Sequence, residues 1–198
     1  MGLPKFFVAP GSVRGSFLTL EGENAAHARV LRLRQGDRVL VCDGCGTDYS
    51  CTISDISPQQ VCLVVDSASA SASEPRVQCS VYMAYAKADK LEHVIQKATE
   101  LGVSRVVVFS SRYCAAYCNE NKLLRLNKVA HEAAKQCLRA TVPEVAYSGS
   151  LAEALASAAG YRNKLFACEF AEKSGADLAS LEGSCALVVG SEGGFSEE

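Results

Sequence analysis

The pattern of apolar residues changes partway along the chain, and this change constrains the fold more than any other feature of the sequence. Before a serine- and alanine-rich segment at residues 67–73, short apolar runs alternate with turn residues. After it, apolar runs of strand length alternate with segments whose apolar residues recur at helical spacing. Small polar residues bury too little surface to order themselves. The sequence therefore predicts two domains, joined by a linker at residues 67–73.

The first domain is predicted to be a small β-barrel, because its apolar runs are short and turn signals separate them. Gly36-Asp37, Asp43-Gly44 and Ser57-Pro58 supply those signals. One helix-like segment at residues 23–32 interrupts the pattern. The runs predicted as strands are 6–8, 39–42, 51–53 and 61–65.

The second domain is predicted to be α/β. Strands that alternate with helices imply a parallel sheet with right-handed crossovers. The predicted strands are 77–85, 106–109, 165–168 and 185–189, and the predicted helices are 90–101, 121–139 and 151–159. The fold class is therefore α/β overall, with an all-β domain in front.

The last predicted strand leads directly into a glycine-rich loop, Gly-Ser-Glu-Gly-Gly-Phe-Ser at residues 190–196. Glycines let backbone N–H groups approach a ligand without interference from Cβ. Loops that follow parallel strands are also where α/β sheets bind small molecules. The sequence predicts a ligand-binding loop here, and the alternative is a tight turn with no ligand.

Composition and charge narrow the functional classes. The chain has 198 residues, 48% of them hydrophobic, and a net charge of −2, which argues against a general nucleic-acid binder. The charge is uneven: residues 86–139 carry an excess of five positive charges, and residues 140–198 an excess of six negative charges. The first of these regions could face a polyanion. Four arginines within ten residues, at 29, 32, 34 and 38, form either a second such surface or a solvated face.

The sequence predicts neither a membrane or secreted protein nor a metal-binding or disulfide-bonded one. The sequence has no long apolar segment and no secretory signal, so we expect a cytoplasmic protein without membrane association. Ten cysteines include Cys42-x-x-Cys45 and Cys114-x-x-x-Cys118, but neither pair is completed as a zinc site. Most cysteines lie among apolar residues, where this side chain behaves as a small buried group. We therefore expect no metal and no disulfides.

Several motifs together resemble the RsmE family of SPOUT-class methyltransferases, which methylate N3 of a uridine in bacterial small-subunit ribosomal RNA. Two strings are specific in their order and spacing: Gln-Lys-Ala-Thr-Glu-Leu-Gly-Val at 96–103 and Glu-Gly-Gly-Phe at 192–195. Weaker matches are Lys-Phe-Phe-Val at 5–8, Val-Leu-Arg-Leu at 30–33 and Ser-Arg at 111–112. The resemblance extends over nearly the whole chain.

The resemblance implies a PUA-like, RNA-binding β-barrel at residues 1–72 and a SPOUT methyltransferase domain of trefoil-knot type at residues 73–198. It implies S-adenosylmethionine as cofactor and 16S ribosomal RNA or the small ribosomal subunit as partner. Cofactor contacts carry over to Gly190, Glu192, Gly193, Gly194 and, at a strand end, Glu169. RNA contacts carry over to Arg32, Lys87, Lys90, Lys97, Arg112 and Arg139, and charge alone adds Arg29 and Arg34.

The chain departs from the family pattern in two places. Ser191 stands where the family usually has proline. The family also continues beyond the glycine loop with a Leu-Gly-x-x-Ile-Leu-Arg segment that is not matched here, so we expect a C-terminally truncated domain, an incomplete knot and a half-built cofactor site. Dimerisation is expected of the full-length protein, from the resemblance alone.

The sequence does not identify the catalytic base, and it leaves two other functions to be tested. Glu192 is the only carboxylate inside the loop, but it could equally fix the loop by accepting backbone N–H bonds, so no catalytic base is assigned. Two rival functions also remain. One is a non-catalytic RNA-binding adaptor of the same fold. The other is a nucleotide- or phosphate-binding enzyme that uses the loop as an anion cradle, although the loop lacks the lysine of a P-loop.

Overall fold

The computed structural model describes residues 3–114, 117–170 and 178–196. The chain divides into two compact units. The first comprises Met1–Glu74 together with Lys135–Thr141, and the second comprises Pro75–Ala134 together with Val142–Glu198. The first unit thus includes a short segment from the middle of the chain as well as the N-terminal region.

In the residues that the structure describes, the N-terminal part of the first unit contains a five-stranded sheet and the helix Gly22–Val30, in agreement with the predicted all-β domain. Its strands lie in the order β1-β3-β4-β5-β2, and every pair is antiparallel except β1 with β3. Strand residues largely alternate between a buried face and an exposed face, so one face of the sheet covers an apolar core, and among the described strands the edge strands β1 and β2 are not paired with each other. The elements are β1 Lys5–Phe7, β2 Phe17–Glu21, α1 Gly22–Val30, β3 Arg38–Cys42, β4 Thr47–Ile56 and β5 Gln60–Ala70.

The predicted linker is wrong over most of its length, because residues 67–70 are the last part of β5. They pair antiparallel with residues 47–50 of β4. The small side chains of this segment bury little apolar surface, as expected. Its backbone N–H and C=O groups nevertheless find partners on β4, and this pairing holds the segment extended.

Glu74 fastens the segment 135–141 within the first unit. Its Oε1 atom accepts hydrogen bonds from the backbone N–H groups of Ala140 and Thr141, at 2.9 and 3.0 Å. Its Oε2 atom pairs with the guanidinium of Arg139, whose side chain is only 5% exposed. Lys5 also holds this segment, since its ammonium donates a hydrogen bond to the carbonyl oxygen of Leu138. The carboxylate thus satisfies a buried cation and two backbone donors together.

The second unit is a parallel α/β domain, as predicted. Its five strands lie in the order β8-β7-β6-β10-β9, and every neighbouring pair is parallel. A short 3₁₀ turn, Leu178–Ser180, precedes the last strand. The elements are β6 Gln78–Ala84, α2 Ala88–Glu100, β7 Arg105–Phe109, α3 Glu120–Gln136, β8 Glu144–Ser148, α4 Leu151–Ser157, β9 Asn163–Ala167 and β10 Ser184–Val189.

Helices cover both faces of this sheet. On one face, Leu91 and Ile95 of α2 and Leu126 of α3 pack against strand residues that include Val106 and Val108. On the other face, Ala154 of α4 packs in a cluster with residues such as Tyr82, Val107 and Val188. Sheets that are covered on both sides are continuously apolar along their strands. That is why Val-Val-Val-Phe at 106–109 and Ala-Leu-Val-Val at 186–189 read as buried strands.

The strand order reverses between β6 and β10. The chain runs outward from β6 to β7 and β8, crosses to β9 at the opposite edge, and returns with β10 between β9 and β6. In parallel sheets, such a reversal opens a crevice at the carboxyl ends of the two strands that flank it. The glycine-rich loop follows β10, so the topology places it at this crevice.

The cysteines differ in burial: three are core residues, six are partly buried and Cys45 is exposed. All ten are free thiols, and Cys42, Cys51 and Cys185 are buried. Burial raises the pKa of Cys42 and of Cys51 to about 11, so both thiols stay protonated near neutral pH. Within residues 3–114, 117–170 and 178–196, no group of three or more His, Cys, Asp or Glu side chains is placed to hold a metal ion. No helix in these ranges is long and apolar enough to cross a membrane.

We predict that Glu74→Ala destabilises the protein by about 2–4 kcal/mol, because it removes the carboxylate that pairs with the buried Arg139 guanidinium and accepts two backbone N–H groups. Urea unfolding measures this change. Glu100→Gln is the matched control: Glu100 pairs with the half-exposed Lys97 on α2, and its loss costs less than about 1 kcal/mol. Equal stability of the two variants would contradict the anchoring role of Glu74.

Candidate ligand-binding site

The candidate site lies in the second unit, where the carboxyl ends of several parallel strands meet. The glycine loop at residues 190–196 follows β10, Glu169 follows β9, Lys87 follows β6, and residues 111–113 follow β7. Parallel pairing puts all of these ends at one edge of the sheet. The fold therefore gathers segments that are as far as 109 residues apart in the chain, from Lys87 to Ser196.

Close backbone packing explains the glycines of the loop. The N–H of Gly194 donates to the carbonyl oxygen of Ser191 at 2.9 Å, which closes a tight turn. A Cβ on Gly190 would lie 2.9 Å from the backbone carbon of Gly194, and a Cβ on Gly193 would lie 2.9 Å from Tyr113 Cβ. Gly194 has a φ of +67°, in the left-handed region that favours glycine. Side chains at these positions would force the turn open.

Glu169 holds the far side of the same turn. Its Oε1 atom accepts the backbone N–H of Phe195 at 3.0 Å. The carboxylate lies so close to Gly194 that any Cβ there would overlap it. A charged acceptor bonded to a backbone donor is a strong form of hydrogen bond. Glu169 therefore positions the loop from the end of β9.

Glu192 connects the loop to the start of α2. Its Oε1 atom accepts the backbone N–H of Lys87, the residue that precedes α2, at 3.1 Å, and lies 3.7 Å from the ammonium of Lys90. Hydrogen bonds from its own backbone N–H and from that of Lys87 lower the pKa of Glu192, and the charges of the two lysines lower it further. An ionised carboxylate at a helix N-terminus is also favoured by the helix dipole.

An aromatic wall borders the loop. The rings of Phe166 on β9 and Phe195 in the loop lie with centroids 4.4 Å apart and planes inclined by 34°. They form one side of a cavity of about 370 Å³, a size typical of small-molecule sites. Its polar lining comes from residues such as Arg112 and Ser196. Among the residues that the structure describes, the lining consists of Ser111, Arg112, Tyr113, Leu151, Phe166, Cys168, Gly194, Phe195 and Ser196.

The five residues predicted to contact a cofactor lie together around this loop, but they differ in placement. Gly194 lines the cavity. Gly190 and Gly193 lie where close packing excludes a side chain. The carboxylates of Glu169 and Glu192 bind backbone N–H groups, of Phe195 and Lys87 respectively. The geometry favours the loop-fixing role of Glu192, and direct cofactor contact by any of the five stays a prediction.

The basic residues predicted to contact RNA divide between the two units. In the first unit, Arg29, Arg32 and Arg34 are exposed at and after the C-terminal end of α1. Arg32 has a φ of +56°, which turns the chain after the helix. The guanidinium of Arg29 donates to the carbonyl oxygen of Pro58. These three residues lie within six positions of the chain, and each is exposed.

In the second unit, Lys87 immediately precedes α2, Lys90 and Lys97 lie on it, and all three are exposed. Lys90 and Lys97 are seven residues apart and therefore lie on the same side of the helix. Acidic partners reduce the local positive charge, because Lys90 lies near Glu192 and Lys97 pairs with Glu100. Arg112 is exposed and lines the cavity instead.

Arg139 has a different environment from the other basic candidates. It belongs to the first unit, is 4% exposed, and pairs with Glu74. A buried guanidinium held by a carboxylate favours a structural role over contact with RNA. The sequence alone could not show this, because Glu74 lies 65 residues away along the chain.

Sequence analysis missed most of the residues that line the cavity, including Phe166, Tyr113 and Leu151. Part of the lining could have been found from the sequence, since Tyr113 follows a predicted strand and Leu151 begins a predicted helix, whereas Phe166 lies inside a predicted strand. Their residue types did not indicate a binding site, because aromatic and aliphatic side chains at such positions are usually part of the core.

Comparison with known proteins finds a consistent set of similarities. The model of a family described as RNA methyltransferase domain matches residues 73–198, and that of an RNA methyltransferase PUA domain matches residues 20–66. Ribosomal RNA small subunit methyltransferase E of Bacillus subtilis is 31% identical over 193 residues, covering 90% of this chain and 75% of the relative. The protein of the same name from Synechocystis is 26% identical, covering 98% of this chain and 65% of the relative.

A solved structure shares the fold. The crystal structure of a ribosomal RNA small subunit methyltransferase E from Neisseria gonorrhoeae, bound to S-adenosyl methionine, superposes with a TM-score of 0.82. The match covers 99% of this chain and 82% of that one at 23% identity. The architecture is thus a PUA-like N-terminal domain with an α/β methyltransferase domain of the SPOUT class.

We predict that Glu192→Gln loosens the junction of the loop and α2. The amides of Lys87 and of residues 191–195 should exchange about threefold to tenfold faster, because a neutral amide is a weaker acceptor. Hydrogen–deuterium exchange read by mass spectrometry measures this effect, with Glu100→Gln as control. Unchanged exchange at Lys87 in Glu192→Gln would contradict the proposed contact.

The same contact has a defined pH dependence. Because the pKa of Glu192 is lowered in the folded protein, the contact contributes fully above the ordinary pKa of glutamate. It is lost as the pH falls through the lowered value. Exchange in the wild type should therefore approach that of Glu192→Gln only in acid.

Proposed function

Because the chain belongs to the ribosomal RNA small subunit methyltransferase E family, we propose that it methylates N3 of a uridine in small-subunit (16S) ribosomal RNA with S-adenosylmethionine as donor. The observation that carries this proposal is the cavity of about 370 Å³ at the reversal point of the parallel sheet. Its walls come from the glycine loop and from the ends of neighbouring strands. The relatives reported above are named as ribosomal RNA small subunit methyltransferases, which supports the class of reaction.

The residues around the cavity fit the proposed cofactor. An adenine ring needs a flat apolar surface, which Phe166, Phe195 and Leu151 provide. Gly194 lines the cavity with backbone atoms only, because the Glu169 carboxylate fills the space that a Cβ would need. Ser111 and Ser196 offer hydroxyl groups for polar parts of the ligand. These residues would hold the cofactor, and Glu169 would keep the loop in place behind it.

When bound, S-adenosylmethionine supplies a methyl group on a positively charged sulfur. The transfer is an in-line displacement, so the protein must hold donor and acceptor in close alignment. Glu169 and Glu192 serve this requirement by fixing the loop through two separate strand ends. Uracil N3 must also lose a proton, and a nearby cation would stabilise the resulting anion. Arg112 lies at the cavity and is our candidate for that cation.

The RNA must present its uridine in an accessible form. N3 lies on the Watson–Crick edge, so the target base has to be unpaired or extruded from its stack. We assign backbone contacts to the exposed basic residues Arg29, Arg32, Arg34, Lys87, Lys90 and Lys97. Contacts of this kind make binding weaken steeply as salt rises. We also propose that the full-length protein acts as a homodimer, on the resemblance to its family.

The cofactor assignment predicts that the full-length protein binds S-adenosylmethionine in isothermal titration calorimetry. Phe166→Ala should weaken that binding about tenfold, because it removes half of the aromatic wall. Phe170→Ala is the matched control, since Phe170 is similarly exposed, 52% against 46%, but is not part of the cavity lining. Absence of any binding heat would favour the RNA-binding adaptor of the same fold.

The reaction assignment predicts the loss of 3-methyluridine from 16S ribosomal RNA when the gene is deleted, as read by mass mapping of nucleosides. Gly194→Ala should fail to restore the modification, because a Cβ there overlaps Glu169 and requires an unfavourable φ. Gly160→Ala should restore it, because Gly160 has open space around its Cα. An unchanged nucleoside profile in the deletion strain would refute the reaction.

A further inference from the structure

The exposed face of β2 carries an aromatic side chain that the proposed reaction does not use. Phe17 is 66% exposed, whereas its neighbours Leu18 and Leu20 are buried in the core of the first unit. The alternation places Thr19 on the same exposed face. Removing a phenylalanine ring from water is favourable, so an exposed ring of this kind indicates a contact surface.

A tight turn places a cation beside this ring. The backbone of Arg14 and Phe17 exchanges two hydrogen bonds, at 3.1 and 3.2 Å, across the turn that contains Gly15. Residues paired directly in this antiparallel way project their side chains to the same face. The guanidinium-bearing side chain of Arg14 and the ring of Phe17 therefore extend from adjacent positions on one surface, and both are exposed.

The same surface forms an open cavity of about 540 Å³ within the first unit. Both Arg14 and Phe17 line it, and so do the hydroxyl-bearing residues Ser12 and Thr19. Its lining is mainly polar, and Pro10, Leu18 and the Phe17 ring supply the apolar part. A flat aromatic surface, a cation beside it and hydroxyl groups near it are the components of a site for an unpaired nucleotide.

We propose that this face, defined by Arg14, Phe17 and Thr19, binds an unpaired nucleotide of the RNA substrate. The base stacks on Phe17, and Arg14 contacts the adjoining phosphate. The inference rests on the proposed function in that it takes RNA to be the ligand. It adds an RNA subsite on the first unit, in a different segment of the chain from the one that carries Arg29, Arg32 and Arg34.

The spacing of residues along β2 predicts how the RNA is oriented in the cavity. Thr19 is two residues from Phe17, which is about 6.6 Å along a strand and within reach of the edge of a stacked base. Glu21 is four residues from Phe17, about 13 Å away, and its carboxylate repels phosphate. The RNA backbone should therefore lie at the Arg14 end of the cavity, with the base edge directed toward Thr19.

The test measures binding of a fluorescein-labelled single-stranded oligoadenylate to the full-length protein by fluorescence anisotropy. Phe17→Leu keeps an apolar side chain but removes the aromatic face, and should weaken binding about 5-fold to 150-fold. Phe17→Tyr keeps the face and should bind as the wild type does. Circular dichroism checks that each variant is folded, which the exposure of Phe17 leads us to expect.

A second measurement separates the two roles. Arg14→Gln should lower the slope of log affinity against log salt by about 0.7, the value for one contact with a single-stranded phosphate. Phe17→Leu should leave that slope unchanged, because stacking releases no counterions. A purely structural role for the turn would not produce this division between the two variants.

Three results would overturn the subsite. Equal RNA affinity of Phe17→Leu and wild type would refute it while leaving RNA binding elsewhere intact. Absence of oligoadenylate binding by the wild type would refute the subsite, because stacking on a phenylalanine ring does not depend on the identity of the base, and would leave the proposed reaction to the gene-deletion test. A change in oligomeric state with Phe17→Leu, seen by light scattering without loss of RNA affinity, would assign the ring to a protein contact. Unchanged 3-methyluridine on gene deletion, by contrast, refutes only the reaction.

Discussion

The position of β10 between β6 and β9 is the constraint on which the rest of the site depends. Parallel pairing on both sides fixes where β10 ends, and therefore where residues 190–196 begin to turn. A parallel strand inside a sheet is buried on both faces and held by backbone hydrogen bonds on both edges. The loop that follows it starts from a rigid point. A cavity with defined walls requires this rigidity.

Two carboxylates transfer that rigidity to the loop. Glu169 binds the N–H of Phe195 from the end of β9, and Glu192 binds the N–H of Lys87 before α2. Glycines make the arrangement sterically allowed, since the turn leaves no room for a Cβ at Gly190 or Gly194. The loop is thus shaped by contacts to two neighbouring strand ends rather than by its own local preferences, and Ser191 in place of proline does not prevent the turn.

Most elements followed from the sequence where the apolar pattern was strong. The helix predicted at 90–101 is α2, Ala88–Glu100, and the buried strands β7 and β10 lie where their apolar runs predicted them. Two strands were missed. In β8, Val145 is the one residue of the strand that is fully buried, so an edge strand left little apolar signal. In β2, the alternation of Phe17-Leu18-Thr19-Leu20 was present but short.

The sequence by itself determined the two-part architecture, the glycine-rich loop and the family, because these depend on local period and on motifs of adjacent residues. Only the tertiary structure decided which side chains meet. It buried Arg139 against Glu74, joined Glu192 to α2, and placed Phe166 against Phe195. Each of these contacts links positions far apart in the chain. Strand order and register decide which of these side chains meet, and neither can be read from the type of a single residue.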